Sequence, residues 1–150
     1  MKGFFYILPV LTLTLLTSAC ASNTESTITQ PDIHAIEGWY DGDSCWVTGT
    51  GSADKRIQSP ILRRIDTTEN AGRDARKLML EFLVRTYFNQ PRTEYDYDTV
   101  KNAFIRKYSP LIESGKVTNE KKIGYDSYSV IFVISKKNLK REILSGSAIK

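Results

Sequence analysis

Apolar positions change their spacing several times along this chain, and each change marks an element. Ala71, Ala75, Leu78, Met79, Phe82, Leu83 and Tyr87 recur every three or four residues, which is the period of one helical face. Arg73, Asp74, Arg76, Lys77, Glu81 and Arg85 occupy the opposite face, so the pattern predicts a long amphipathic helix. Asp66 to Glu69 offers N-cap residues and an acidic first turn. The helix is expected to end before Pro91, because the residue preceding a proline is pushed out of the helical region. A second helix is predicted over 97–108, with Val100, Ala103, Phe104 and Tyr108 on one side and Pro110 just beyond its end.

The period then shortens. Lys116 to Tyr125 and Tyr128 to Ile134 are extended runs joined near Asp126 and Ser127, a hairpin signature. The second run is almost continuously apolar and β-branched and is expected at the centre of a sheet, whereas the first is polar enough for an edge. A short strand is expected at Cys45 to Thr50, and Asn138 is placed to cap a last helix carrying Leu139, Ile143 and Leu144. Between them, Pro60 argues against continuous helix, and Lys55, Arg56, Arg63 and Arg64 read as a basic loop or an extended edge. The order is β-α-α-β-β-α. Helices grouped on one face of a small antiparallel sheet bury these stripes economically, so the fold class is α+β with the sheet packed against the long helix.

The N-terminus has a different character. Lys2 precedes an uncharged apolar stretch from Phe4 to Leu16, the size of a signal-peptide core and too short to span a bilayer. Thr17, Ser18, Ala19 and Cys20 follow and resemble the bacterial lipobox, with Thr17 where leucine is usual. Small side chains admit a peptidase, and a thiol is the nucleophile that forms a thioether with a lipid donor. The expected division is a signal peptide over 1–19, a lipidated Cys20 with a flexible tether over 20–37, and one domain over 38–150. The alternative is ordinary secretion with cleavage near Ala19, which leaves Cys20 a free or paired thiol. Ser22 to Asp32 is polar and broken by Pro31, as a spacer would be. Ala21, rather than aspartate, follows the cysteine and favours the outer membrane.

Composition narrows the chemistry. With 150 residues, 41% of them hydrophobic and 25% charged, the chain fits one globular domain, not two cores or wholesale disorder. Two cysteines, one histidine and no CxxC spacing argue against a disulfide scaffold, a zinc domain and a histidine relay. The formal charge of +4 falls to +3 once Lys2 leaves with the signal peptide. An exported chain meets anionic lipid or cell-wall polymer, so nucleic acid drops out as a partner.

The candidate catalytic motifs are weak. Gly42-Asp43-Ser44 opens like the nucleophile block of GDSL-type hydrolases, yet the lone histidine, His34, lies upstream of it, and a turn before a strand explains the triplet. Gly49-Thr50-Gly51 lacks the third glycine of a dinucleotide fingerprint. Glu94, Asp96 and Asp98 read as an acidic helix start and not a metal site. Cys45 reads as a small buried hydrophobe. Trp39, Tyr40, Arg63 and Arg64 are the candidate interaction surface, since amphipathic aromatics and arginines favour interfaces.

Three segments together resemble the LPP-twenty-like bacterial lipoproteins, a family that includes flagellar outer-membrane lipoproteins of the FlgP type. They are Trp46-Val47-Thr48-Gly49-Thr50-Gly51-Ser52-Ala53, Ala71-Gly72-Arg73-Asp74-Ala75-Arg76, and the strand pair from Lys116 to Ile134 followed by a short helix. The resemblance covers about Trp46 to Leu144. It implies a sheet wrapped around a long helix, comparable to dodecin-like folds, with no established enzymatic site. Cys45, where the family often has proline, and the basic stretch from Lys55 to Arg64 are departures. The expectation is a non-enzymatic binding or assembly module of the outer membrane, without cofactor or metal. Its expected partners are membrane lipid through Cys20, envelope or flagellar proteins, and other copies of itself. The alternatives are a flagellar or envelope ring subunit and a lipid-anchored hydrolase using Ser44 or Cys45.

Overall fold

A computed structural model describes residues 36–91 and 94–149. The expectations for the signal peptide, for Cys20 and for the tether up to residue 35 lie outside the described residues. The chain forms β1 (Glu37–Trp39), β2 (Ser44–Ser52), α1 (Pro60–Phe88), α2 (Tyr97–Glu113), β3 (Lys116–Lys122), β4 (Ser127–Ser135) and α3 (Leu139–Leu144). The strands make one sheet in the order β1-β2-β4-β3, and every pairing is antiparallel. The class is therefore α+β, a small antiparallel sheet with a long helix against it. No helix among the described residues is long and apolar enough to cross a membrane.

β4 is a central strand because its sequence can be buried on both sides of the pleat. Val130, Phe132 and Ile134 point to the helical side and are buried, while Ile131 and Val133 on the other face are half-buried. The register with β2 sets Cys45 opposite Ile134 and Val47 opposite Phe132, so one face of both strands enters the core together. β3 is exposed at all seven positions. Lys116, Lys121 and Lys122 along it, with a register shift between Val117 and Asn119, discourage pairing with another chain. The opposite edge, β1, is only three residues long.

α1 lies across this face at unusually close range. Gly49 and Gly51 share the helix-facing side of β2 with Cys45 and Val47, and Ala71 and Ala75 oppose them. A methyl group on Gly49 would lie 2.5 Å from the Ala75 backbone nitrogen and would also strike the Ala71 carbonyl oxygen. One on Gly51 would strike the Ala71 nitrogen and the Thr67 carbonyl oxygen. Strand and helix thus touch backbone to backbone. The Thr50 N–H donates to Asp74 Oδ2 at 2.9 Å and Asn70 Nδ2 donates to the Ser52 carbonyl at 3.0 Å, which pins the lateral register. Further along α1, Met79, Leu83 and Tyr87 join Phe104, Tyr108 and Ile112 of α2 and Leu139 and Ile143 of α3 in one core cluster.

The observed elements correct several expectations. α1 begins at Pro60, so Arg63 and Arg64 belong to its first turns and not to a basic loop. Proline is tolerated there because the first N–H of a helix has no intrahelical acceptor. α2 continues past Pro110 to Glu113, at the cost of one ladder bond in its last turn. β1 is an added strand at the front of the order, and its Glu37 belongs to the sheet and not the tether. Asn138 does not cap α3 with its side chain. It takes a left-handed backbone (φ 58) and donates its N–H to Asp43 Oδ1 at 2.7 Å.

The close approach makes a sharp prediction. Gly49→Ala should lower unfolding free energy by about 2–3 kcal/mol or prevent folding, since overpacking against backbone has little room to relax. Gly42→Ala, where nothing lies within 4 Å, should leave stability within about 0.5 kcal/mol. Urea denaturation of both variants measures this, and equal midpoints would refute the contact.

Candidate functional site

The candidate surface residues divide between the two ends of α1. At one end Trp39 packs on Phe82 with ring centroids 5.6 Å apart, and Lys140 Nζ sits 5.5 Å from the Trp39 centroid. Tyr40 lies beside Trp46 at 6.3 Å, and the Trp46 indole lies over Gly38 so closely that a Cβ there would sit 3.1 Å from Nε1. At the other end Arg63 and Arg64 reach the β3–β4 hairpin. Arg63 and Phe82 stand about 28 Å apart along the helix axis at 1.5 Å per residue, so the four residues form two patches and not one surface.

The Gly42-Asp43-Ser44 triplet is a structural turn. Asp41 Oδ1 accepts the N–H groups of Asp43 at 2.7 Å and Ser44 at 2.6 Å. Lys136 and Lys140 donate their N–H groups to the Asp43 and Gly42 carbonyls, tying the turn to the start of α3. Ser44 Oγ accepts from Ser135 Oγ at 2.9 Å. The next residue, Cys45, is fully buried, with Sγ 3.6 Å from Met79 Sδ. Burial pushes its thiol up to about 12, which leaves almost no thiolate at neutral pH. His34 lies outside the described residues.

The acidic stretch before α2 also has a local structural use. Asp96 is the N-cap: its carboxylate accepts from the Thr99 hydroxyl at 2.6 Å and from the Thr99 N–H at 2.9 Å. These bonds hold it below the usual carboxylate range. Among the described residues no group of three or more histidine, cysteine, aspartate or glutamate side chains is placed to hold a metal ion.

Two groupings escaped the sequence reading. The first is an ionic clamp centred on Glu142, whose carboxylate accepts from Lys107 Nζ at 2.9 Å and Lys136 Nζ at 2.6 Å, with the Tyr108 hydroxyl at 3.4 Å. It joins α2, the exit of β4 and α3. Burial raises the Glu142 carboxyl, but hydrogen bonds from Lys136 and Lys107 outweigh it and leave the group below its ordinary value of 4.5. Burial, reinforced by the Glu142 charge, raises the Tyr108 phenol.

The second is a cleft of about 330 Å³ between the first turns of α1 and the β3–β4 hairpin. Arg63 and Arg64 enter it from the helix, and Lys122, Tyr125, Asp126 and Tyr128 from the hairpin. Arg63 Nη2 pairs with Asp126 Oδ2 at 3.0 Å, while Arg64 Nη2 reaches Glu120 Oε2 only at 3.5 Å. Arg63 Nε is buried without a hydrogen-bond partner. Lys122 Nζ stands 5.8 Å from the centroid of Tyr125, a ring 85% exposed. The helical and hairpin halves are some sixty positions apart in sequence, and the legible part was the basic pair Arg63 and Arg64 on the helical side.

Comparison with family models, with curated proteins and with solved structures finds no match.

The clamp predicts a pH dependence. A carboxyl with a depressed folded-state pKa adds stability above its unfolded value, and that stability is lost as pH falls through the folded value. Glu142→Gln should therefore cost about 1–2 kcal/mol at pH 7, and the gap from wild type should close by pH 3. A gap independent of pH in urea melts would sink the assignment. For Cys45, a Cys20→Ser background isolates the thiol. At pH 8 its alkylation should run about a thousandfold slower than that of a free cysteine, following the thiolate fraction, and guanidinium should restore it. Rapid native labelling would contradict the burial.

Proposed function

We propose that the chain is an exported bacterial lipoprotein, anchored in the outer membrane through a lipidated Cys20, whose α+β domain binds or assembles with other components of the envelope. One observation carries this reading: the small-residue run Thr17-Ser18-Ala19-Cys20 directly behind the apolar stretch Phe4 to Leu16. A thiol there is positioned for thioether formation, and the polar segment that follows has the composition of a spacer.

The domain supports a non-enzymatic role through what its candidate nucleophiles are already doing. Cys45 is enclosed beneath the sheet against Met79, and Ser44 is engaged with Ser135 across the strand pair. Both side chains act in packing and register, which weakens the reading of a lipid-anchored hydrolase. The uncovered sites lie instead on the surface, at the Trp39 end and at the cleft beside Arg63.

The anchor is tested by growing cells with labelled palmitate. Wild type should incorporate label and Cys20→Ser, at equal protein level by immunoblot, should lose at least nine-tenths of it. Equal labelling of both, or none in wild type, overturns the anchor.

A further inference from the structure

We infer that the cleft between the first turns of α1 and the β3–β4 hairpin binds a phosphate group carried on a small polar body such as a sugar or a glycerol headgroup. Three cationic side chains, Arg63, Arg64 and Lys122, converge there with a single lining carboxylate, Asp126. That carboxylate engages Arg63 through Nη2. Arg63 Nε remains buried and unpartnered, a donor that protein interiors rarely leave unused. Arg76 Nε is the other such nitrogen among the described residues, but its guanidinium lies 5.5 Å from the Phe132 ring centroid and faces Glu113 at 3.9 Å. Arg63 has no equivalent explanation.

Donors arriving from three side chains on two elements suit a tetrahedral oxyanion better than a planar carboxylate, which one guanidinium fork already satisfies. The volume of about 330 Å³ lies at the small end of ligand sites and accommodates a phosphate with a short attached body. Tyr125, exposed beside Lys122, and half-buried Tyr128, paired with Lys122 in the sheet, provide amphipathic rings to cover that body. Glu120 of β3, outside the cleft lining, is held 3.5 Å from Arg64, long enough for an incoming phosphate to compete for the guanidinium. This site stands independently of the Cys20 anchor.

The test uses the full chain in phosphatidylcholine nanodiscs, followed by ¹⁵N NMR during titration with glucose 6-phosphate. Saturable shifts are expected at the Arg63 Nε–H and at the Lys122 and Tyr125 amides. Lys122→Gln, an exposed position that should fold normally, should weaken binding at least tenfold, as should Arg63→Gln, while Lys116→Gln on the same strand should not. Gluconate should bind at least tenfold more weakly than the phosphate ester. Replacing a fraction of the nanodisc lipid by phosphatidylglycerol separates the sources: shifts with the soluble ester alone indicate a phosphorylated carbohydrate, and shifts with the anionic discs indicate a lipid headgroup. Either result upholds the site. Absence of both responses, equal weakening by Lys116→Gln, or gluconate binding as tight as the ester overturns it.

Discussion

The backbone-to-backbone approach of β2 to α1 is the constraint on which the rest of the molecule depends. Where most helices ride on a sheet at side-chain distance, Gly49 and Gly51 let the helix at Ala71 and Ala75 come into direct contact with the strand. The two elements are then fixed relative to one another at four successive residues of β2. Toward the C-terminus of α1 the gap widens enough to admit Cys45 and Val47 of β2 against Met79, and then Phe82 against Trp39. The helix therefore meets the sheet through backbone at Thr67, Ala71 and Ala75 and through larger side chains at Met79 and Phe82. Beyond this contact the core continues into Phe104 and Tyr108 of α2 and Leu139 and Ile143 of α3, all in the same buried cluster. A sheet with two more side-chain methyls in β2 would force a different helix angle and a different core.

The same geometry decides what was legible in the sequence. A helix as long as α1 announces itself, because each turn repeats the apolar period and Ala71, Ala75, Met79 and Phe82 all face one way. The β4 run is equally plain, since only a strand buried on both sides carries so many β-branched residues in succession. The termini were harder. Pro60 and Pro110 carry the same chemical prohibition in a sequence, and only their place in the helix tells them apart. Pro60 stands where no bond is lost, whereas Pro110 stands in the last turn, where packing of Ile112 into the core compensates for one missing bond. β1 is too short to show any period, and its existence depends on β2 offering a partner. Asn138 looks like a cap by residue type, yet the turn needs its tolerance of a left-handed backbone more than its side-chain oxygen.

Sites formed by distant segments were the least legible. Arg63 and Arg64 were recognisable as a basic pair, but their partners Asp126 and Glu120 lie on a hairpin whose pairing with β2 places its turn beside the start of α1. The backbone contact at Gly51 does this directly: the end of β2 is held against Thr67 and Ala71, Ala53 donates its N–H to the Asp126 carbonyl at 3.1 Å, and the hairpin arrives one turn short of Arg63. Trp39 and Tyr40, by contrast, are carried to the far end by β1. Two clusters that looked alike in the sequence, aromatic and basic, are separated by the length of the helix that both pack against.

The charge distribution follows from the same placement. A small positive excess spread evenly would have little chemical consequence, and several of the described cations are paired locally: Arg56 with Asp54, Arg85 with Glu37, and Lys107 and Lys136 with Glu142. Glu142 is the most committed of these acids, because it is partly buried and shared between two ammonium groups that come from different elements. Around the cleft three cations, Arg63, Arg64 and Lys122, share one lining carboxylate, Asp126. Solvent screening weakens exposed pairs, but a concave site with partly buried walls retains its field better than a convex one. The positive charge of Arg63, Arg64 and Lys122 thus acts in a concavity, and that concavity exists because a helix able to rest on two glycines brings its first turns within reach of the hairpin.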